Sequence, residues 1–205
     1  MGEMAAETTS DVAFSPAVKA LQARKGSRDG YARMEEKGGW NDTVSDMLAQ
    51  FIAERDSFYL ATASADGQPS IQHRGGPPGF LRVLDERTVA WADFTGNRQY
   101  ISVGNLSEND RAAIFLIDYP NRRRIKIWGR ARVVEGDAEL LARLGDPAYQ
   151  ASPEQAMVLR ITAWDVNCPQ HIARRFSEEQ VTDLVRPLQD RIAELEAELD
   201  RLRGV

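Results

Sequence analysis

The chain has 205 residues, 42% hydrophobic and 28% charged, a balance that suits one globular domain with an appendage and a real core. A formal net charge of −5 argues against nucleic acid or an anionic membrane as partner. A single cysteine, Cys168, excludes an intramolecular disulfide framework and suits a reducing, cytoplasmic setting.

No apolar run approaches the roughly 20 residues of a spanning helix. Met1 to Ser10 is small, polar and acidic, which does not read as a signal peptide, and residues 1–14 are expected to form a disordered arm. Ser15-Pro16 opens a helix running to about Arg24. Lys25 to Gly39, rich in glycine and charge, reads as a surface loop. Asn41 or Thr43 caps the next helix, in which Val44, Met47, Leu48, Phe51 and Ile52 recur at helical spacing.

After Arg55 the period changes from helical to alternating. Phe58–Ala63 and Pro69–His73 form a hairpin around Asp66-Gly67. Phe80–Leu84 and Thr88–Ala92 pair around Asp85-Glu86-Arg87. Gly96–Leu106 reads as a short helix. Arg111–Asp118 and Arg124–Glu135 form a long hairpin, Ala138–Leu144 a small helix, and Ala156–Val166 the last strand. About seven hairpin-connected strands with short helices between them predict a mainly β fold, an antiparallel barrel with flanking helices.

The end of the chain differs. Leu188, Ile192, Leu195, Leu199 and Leu202 follow a 4-3-4-3 spacing with charged residues between them, and Pro187 suits the first turn of that helix. An isolated helix of this length is marginal in water, so the segment needs a partner surface, either its own barrel or a second subunit. The expected organisation is an arm over 1–14, a barrel domain over 15–176 and a helical tail over 177–205.

Three segments carry candidate chemistry. Gln72-His73-Arg74-Gly75 ends a strand and places a cation beside glycine, where a polar ligand can approach the backbone. Trp91-Ala92-Asp93-Phe94-Thr95-Gly96-Asn97-Arg98 ends a strand and enters a helix at Asn97-Arg98. A helix N-terminus offers unpaired N–H groups to an anion, and Arg98 adds a fork that matches phosphate. Trp164-Asp165-Val166-Asn167-Cys168-Pro169-Gln170-His171 closes the last strand. There Asn167 and Gln170 can hydrogen-bond an imide-like edge, with Cys168 a small buried filler. Adjacent residues of an extended chain point to opposite faces, so nothing in this run makes Cys168 a nucleophile activated by His171. With one cysteine and two histidines the usual zinc spacings are missing, and no metal site is expected.

The order of hairpins, then Trp91 to Arg98, then a helix ending in Asn105-Leu106-Ser107-Glu108-Asn109, resembles the pyridoxamine 5'-phosphate oxidase-like flavin-binding family. Arg74-Gly75-Gly76-Pro77-Pro78-Gly79-Phe80 and Asn167-Cys168-Pro169-Gln170-His171 are similar to a bacterial subgroup of it, and the likeness spans roughly Leu48 to Phe176. It implies a split β-barrel holding flavin mononucleotide (FMN) across a homodimer interface. By that resemblance Gln72, His73 and Arg74 run beside the ring and phosphate, and Trp91, Ala92 and Asp93 contact the ring or ribityl chain. Asn97 and Arg98 stand where the family grips the phosphate, only one of them basic, with Arg74 supplying further charge. Arg124 and Lys126 of the partner subunit approach the ring. The basic phosphate-binding strand and the Trp/Arg/His segment of the vitamin enzymes are replaced here, which argues against vitamin B6 synthesis.

Three functions then compete. The first is a flavin-dependent oxidoreductase passing electrons or hydride from a nicotinamide donor to a small acceptor, with His73 delivering a proton. The second is a non-catalytic or sensing protein holding flavin, haem or a deazaflavin, with His73 or His171 as the axial ligand to haem. The third is a structural dimer whose tail recruits a partner.

Overall fold

The structure, a computed structural model, describes residues 8–204. Seven residues of the expected arm, and Val205, lie outside that range. The chain divides into two compact units, one built on residues up to Ile117 together with Arg123–Cys168, the other on Asp118–Arg122 together with the chain from Pro169 onward.

The larger unit is organised by a seven-stranded sheet: β1 Ser57–Ala63, β2 Pro69–Gly75, β3 Arg82–Asp85, β4 Thr88–Phe94, β5 Arg111–Asp118, β6 Arg123–Val134 and β7 Pro153–Asn167. The strand order is β2-β1-β5-β6-β7-β4-β3, with antiparallel pairing. The helices are α1 Pro16–Lys25, α2 Arg28–Glu35, α3 Asp46–Ala53, α4 Ile101–Glu108, α5 Ala138–Leu144 and α6 Glu178–Arg203. Mainly β architecture with flanking helices is what the alternating pattern predicts, and the hairpin turn falls where expected, with Gly67 at φ 91°.

Alternation sends Phe58 and Leu60 of β1, Ile114 and Leu116 of β5, and Ile125 and Ile127 of β6 into one core. Phe58 meets Trp91 edge-to-face at 5.1 Å and stacks on Phe80 at 5.4 Å. Burying each such side chain contributes about 1.5–3 kcal/mol. β4 is buried on both faces. Val89 and Trp91 enter the main core, while Ala90 and Ala92 join Leu144, Ala156 and Val158 in a second cluster against which Leu140 and Leu141 of α5 pack.

Register between β6 and β7 shifts at Trp128/Gly129, where Thr162 is the extra residue on β7. A Cβ on Gly129 would meet Arg160 O at 2.2 Å, so the close strand approach requires glycine. The bulge changes the parity of β7: Met157, Leu159 and Ile161 face the core before it and Trp164 after it. The Trp164 indole donates to Thr43 O at 2.8 Å.

Several expectations are corrected. Residues 9–12 form a 3-10 turn in which Ser10 is buried, held because the Thr9 hydroxyl donates to Trp40 O at 2.6 Å while Trp40 stacks on Trp128 at 4.8 Å. The expected loop over 25–39 contains α2, fastened by the Arg28–Glu35 ion pair and by Tyr31 packing edge-to-face on Phe14. Burial pushes the Glu35 carboxyl up, but Arg28 and Lys19 outweigh it and hold it below its ordinary value. Ser45, rather than Asn41 or Thr43, caps α3 by accepting from Leu48 N. Phe80 and Leu81 are buried ahead of β3 rather than within it, and β7 begins three residues before Ala156.

In the smaller unit Asp118 accepts from Asn121 N at 3.1 Å and from Asn121 Nδ2 at 2.9 Å, and Arg175 lies over the Tyr119 ring at 4.6 Å. Ser177 and Gln180 form a capping box that starts α6 nine residues before Pro187. Pro187 therefore sits in the helix interior, a correction to its expected first-turn place. No residue of α6 is buried.

Candidate functional site

Three pieces of chain deliver most of the candidate residues to one place. The end of β2 carries Gln72, His73, Arg74 and Gly75; the end of β4 carries Trp91, Ala92 and Asp93; the loop into α4 carries Asn97 and Arg98. β2 and β4 are not paired in the sheet, yet Arg74 Nη1 donates to Asp93 Oδ1 at 2.6 Å. Gln155 Nε2 donates to Asp93 Oδ2 at 3.0 Å, so each carboxylate oxygen has a donor. Arg74 Nε is buried with no hydrogen-bond acceptor.

Helix α4 begins at Ile101, not at Asn97. Arg98 and Tyr100 hold left-handed backbones, φ 61° and 52°, which a helix cannot propagate, and Asn97 Oδ1 accepts from Gln99 N at 3.2 Å. Arg98 is therefore an exposed loop residue rather than a first-turn residue. The N-terminus of α4 has no side-chain cap, and Ile101, Ser102 and Val103 line a cavity of about 60 Å³ with Gln72, Arg74, Asp93 and Arg98. The Ser102 hydroxyl donates to Gln72 Oε1 at 3.2 Å, tying β2 to α4.

Arg74 and Arg98 are balanced there by Asp93 and by Glu154. Glu154 accepts from Tyr100 Oη at 2.8 Å, and that bond raises the phenol pKa. With the formal charges cancelling, the site offers an anion aimed donors and a helix dipole rather than net positive charge.

A second depression of about 120 Å³ adjoins the first and is lined by His73, Gly75, Phe80 and the end of β4. His73 is exposed, its ring edge-to-face with Tyr59 at 5.7 Å. The Trp91 indole lies wholly in the core and the Ala92 methyl in the cluster beside α5. A larger cavity, about 590 Å³, lies between the N-terminal turn and the outer faces of β1, β5 and β6, lined by Thr9, Ala61, Arg111 and Trp128; it holds none of the candidate residues.

Arg124, Lys126 and Asn167 form a separate set. Arg124 pairs with Asn167 and Lys126 with Asp165 where β6 meets the far end of β7. Lys126 Nζ lies over the Trp128 ring at 5.1 Å. Burial raises the Asp165 pKa, against the opposing pull of Lys126. Asp93 pairs with Gln155 and Arg124 with Asn167, so twelve residues of β7 separate the two sets. At 3.2–3.4 Å per residue that is up to about 40 Å, and one chain does not bring them together. Cys168, expected as a buried filler, is exposed because it falls one residue past the end of β7. Gln170 is exposed in the smaller unit. Sequence reasoning missed Ser102, Glu154 and Gln155, which belong to no motif; only a buried glutamine at the start of a strand hints at Gln155.

The family model described as pyridoxamine 5'-phosphate oxidase matches residues 44–168, the span that contains all seven strands and both sets. The chain belongs to that family. No curated protein matches the sequence. Among solved structures, HupZ of Group A Streptococcus is similar at 17% identity and TM-score 0.50, over 65% of this chain and 99% of that one. A putative pyridoxamine 5'-phosphate oxidase of Lactobacillus delbrueckii is similar at 20% identity and TM-score 0.48, over 61% of this chain and 95% of that one. An FMN-binding protein of Syntrophomonas wolfei is similar at 13% identity and TM-score 0.48, over 71% and 97%. At these identities the likeness is one of fold.

The residues of this chain fit the phosphate end of a flavin nucleotide. The Arg74 and Arg98 guanidinium groups and the uncapped first turn of α4 are all donors, and these residues border one cavity. An isoalloxazine is larger than the second depression alone, so the ring needs a further wall.

Proposed function

We propose that this protein is a homodimer that binds FMN at two equivalent sites and uses it to pass electrons or hydride from a nicotinamide donor to a small acceptor. The observation that carries the reading is the one cavity lined together by Arg74, Arg98 and the uncapped first turn of α4. A phosphate there would accept charge-assisted hydrogen bonds from guanidinium and backbone N–H groups. Arg98 closes over the same phosphate, and Gln72 is held in place by Ser102.

The bound flavin supplies hydride and single-electron transfer, while the protein orients it and sets its electrostatics. Gly75 and the backbone of Trp91 and Ala92, at the ends of β2 and β4, would hold the ring. The remaining wall would come from the second copy, whose Arg124 and Lys126 would favour the reduced anion. Asn167, paired with Arg124, would offer an amide hydrogen bond there. His73, exposed at the rim, exchanges a proton with the substrate. The reading does not extend to vitamin B6 synthesis, because the chain lacks the resemblance to the vitamin enzymes' basic phosphate-binding strand and Trp/Arg/His segment.

An ultraviolet–visible spectrum of the protein, before and after loading with FMN and desalting, tests this. The expected result is retention of the two oxidised-flavin bands and their bleaching by a reduced nicotinamide. A protein that retains no flavin overturns it. The exposed His73 also favours a second reading, haem carriage with this imidazole as axial ligand. A Soret band on loading haem, abolished in His73→Ala, would select that reading.

A further inference from the structure

We propose that α6 pairs in parallel and in register with α6 of a second copy of this chain, as a two-stranded coiled coil of three heptads.

From Val181 to Leu202 every position of the heptad seam is aliphatic: Val185, Ile192 and Leu199 at a, and Val181, Leu188, Leu195 and Leu202 at d. These side chains are 38% to 82% exposed, a continuous apolar stripe along a helix none of whose residues is buried. A helix of 26 residues with such a stripe needs a partner, because propensity alone leaves it marginal. Pro187 falls at position c, on the outer face, so its ring does not occupy the seam.

The flanking charges select the occupant. In a parallel pair each g residue faces the e residue five positions later on the other helix. Arg191 at g then faces Glu196 at e of the second copy, and Glu198 at g faces Arg203 at e. Both pairs are of opposite sign and each occurs twice by symmetry. Two of the three a positions, Val185 and Ile192, are β-branched and three of the four d positions, Leu188, Leu195 and Leu202, are leucine, the combination that favours two parallel strands. Arg191 bonds Glu194 of its own helix at 2.8 Å, and neither Glu196, Glu198 nor Arg203 has an ion-pair partner among the described residues.

The test uses the full chain in a Cys168→Ala background, equilibrated in a glutathione redox buffer, with the disulfide-linked fraction as readout. Leu202→Cys faces its own counterpart only in the parallel, in-register pair, and Leu188→Cys gives the same reading from the other end. Both are expected to link, and Asp200→Cys on the outer face is expected to stay largely unlinked. Arg191→Glu should lower the ratio of linked to unlinked Leu202→Cys chain roughly tenfold, since two attractive pairs become repulsive. Adding Glu196→Arg should restore it, because positions 191 and 196 meet only across a parallel pair. Absence of linking, equal linking at 200 and 202, or failure of the double charge swap to restore linking each overturns the proposal. Links between Leu202→Cys and Val185→Cys would mark an antiparallel pair and overturn it too. None of these readouts depends on flavin.

Discussion

Arg74 on β2 and Asp93 on β4 are joined at 2.6 Å although five places separate their strands in the sheet order, so this ion pair closes the sheet upon itself at the mouth of the candidate site. Asp93→Ala leaves Arg74 and the amide of Gln155 without their acceptor in a largely buried position. The expected cost is about 2–4 kcal/mol, read as a lower urea midpoint with an unchanged slope. A variant as stable as the parent would show that the barrel mouth is held elsewhere.

Arg98 is expected to serve binding at the expense of stability. Its φ of 61° costs a side-chain-bearing residue about 1 kcal/mol that glycine does not incur. Arg98→Gly should therefore match or exceed the parent in cofactor-free melting. FMN affinity should fall by about 1.5–3 kcal/mol, the worth of a charge-assisted hydrogen bond. Unchanged affinity would move the phosphate site away from this loop.

Asp165 makes the rise of pH above the ordinary carboxylate range informative for stability. Burial raises its folded-state pKa above the ordinary value, so the folded protein binds more protons than the unfolded one between those two values. Stability then falls as pH rises through that window, and the penalty is fully present above it. Asp165→Asn should stabilise the protein at neutral pH, and the gain should vanish below the ordinary carboxylate range. Denaturant midpoints of both proteins at the two pH values decide it; a gain that persists in acid would assign the effect to packing.

Gly129 sits at the β6–β7 bulge, where a methyl group would lie 2.2 Å from Arg160 O and 2.7 Å from Leu159 Cδ2. Backbone cannot yield as a flexible side chain can. Gly129→Ala is expected to cost about 2–3 kcal/mol, in the range of overpacked cores, and to broaden amide signals along both strands. A methyl tolerated without loss would mean that the bulge relaxes.

The strands were readable because alternation of apolar residues is a property of the chain itself: Phe58, Leu60, Ile125 and Ile127 declare their face locally. What escaped the sequence depends on contacts distant along it. The α2 segment, with Gly30 and its charges, resembles a loop until Glu35 finds Arg28 and Tyr31 finds Phe14. The entry to α4 was placed four residues early because nothing local announces that Arg98 and Tyr100 adopt left-handed backbones. Trp91 lies near the end of a strand that enters the candidate site, yet parity on β4 sends its ring to the core. The candidate site was legible as two cationic strand ends and a helix entry. The polar residues that orient them, Gln155 and Ser102, were not, since a single buried glutamine or serine has no spacing to recognise.

The placement of Asp93 and Arg124 at opposite ends of β7 bears on genetics. If each cofactor site combines one chain's Arg74 and Arg98 with the other chain's Arg124, a chain defective at Arg98 and a chain defective at Arg124 are each inactive as pure dimers. Mixed, they form a hybrid in which one site gathers both lesions and the other gathers none. Two recessive alleles would then complement one another within a single gene, and co-expressed variants should recover flavin in about half the sites of the hybrid population.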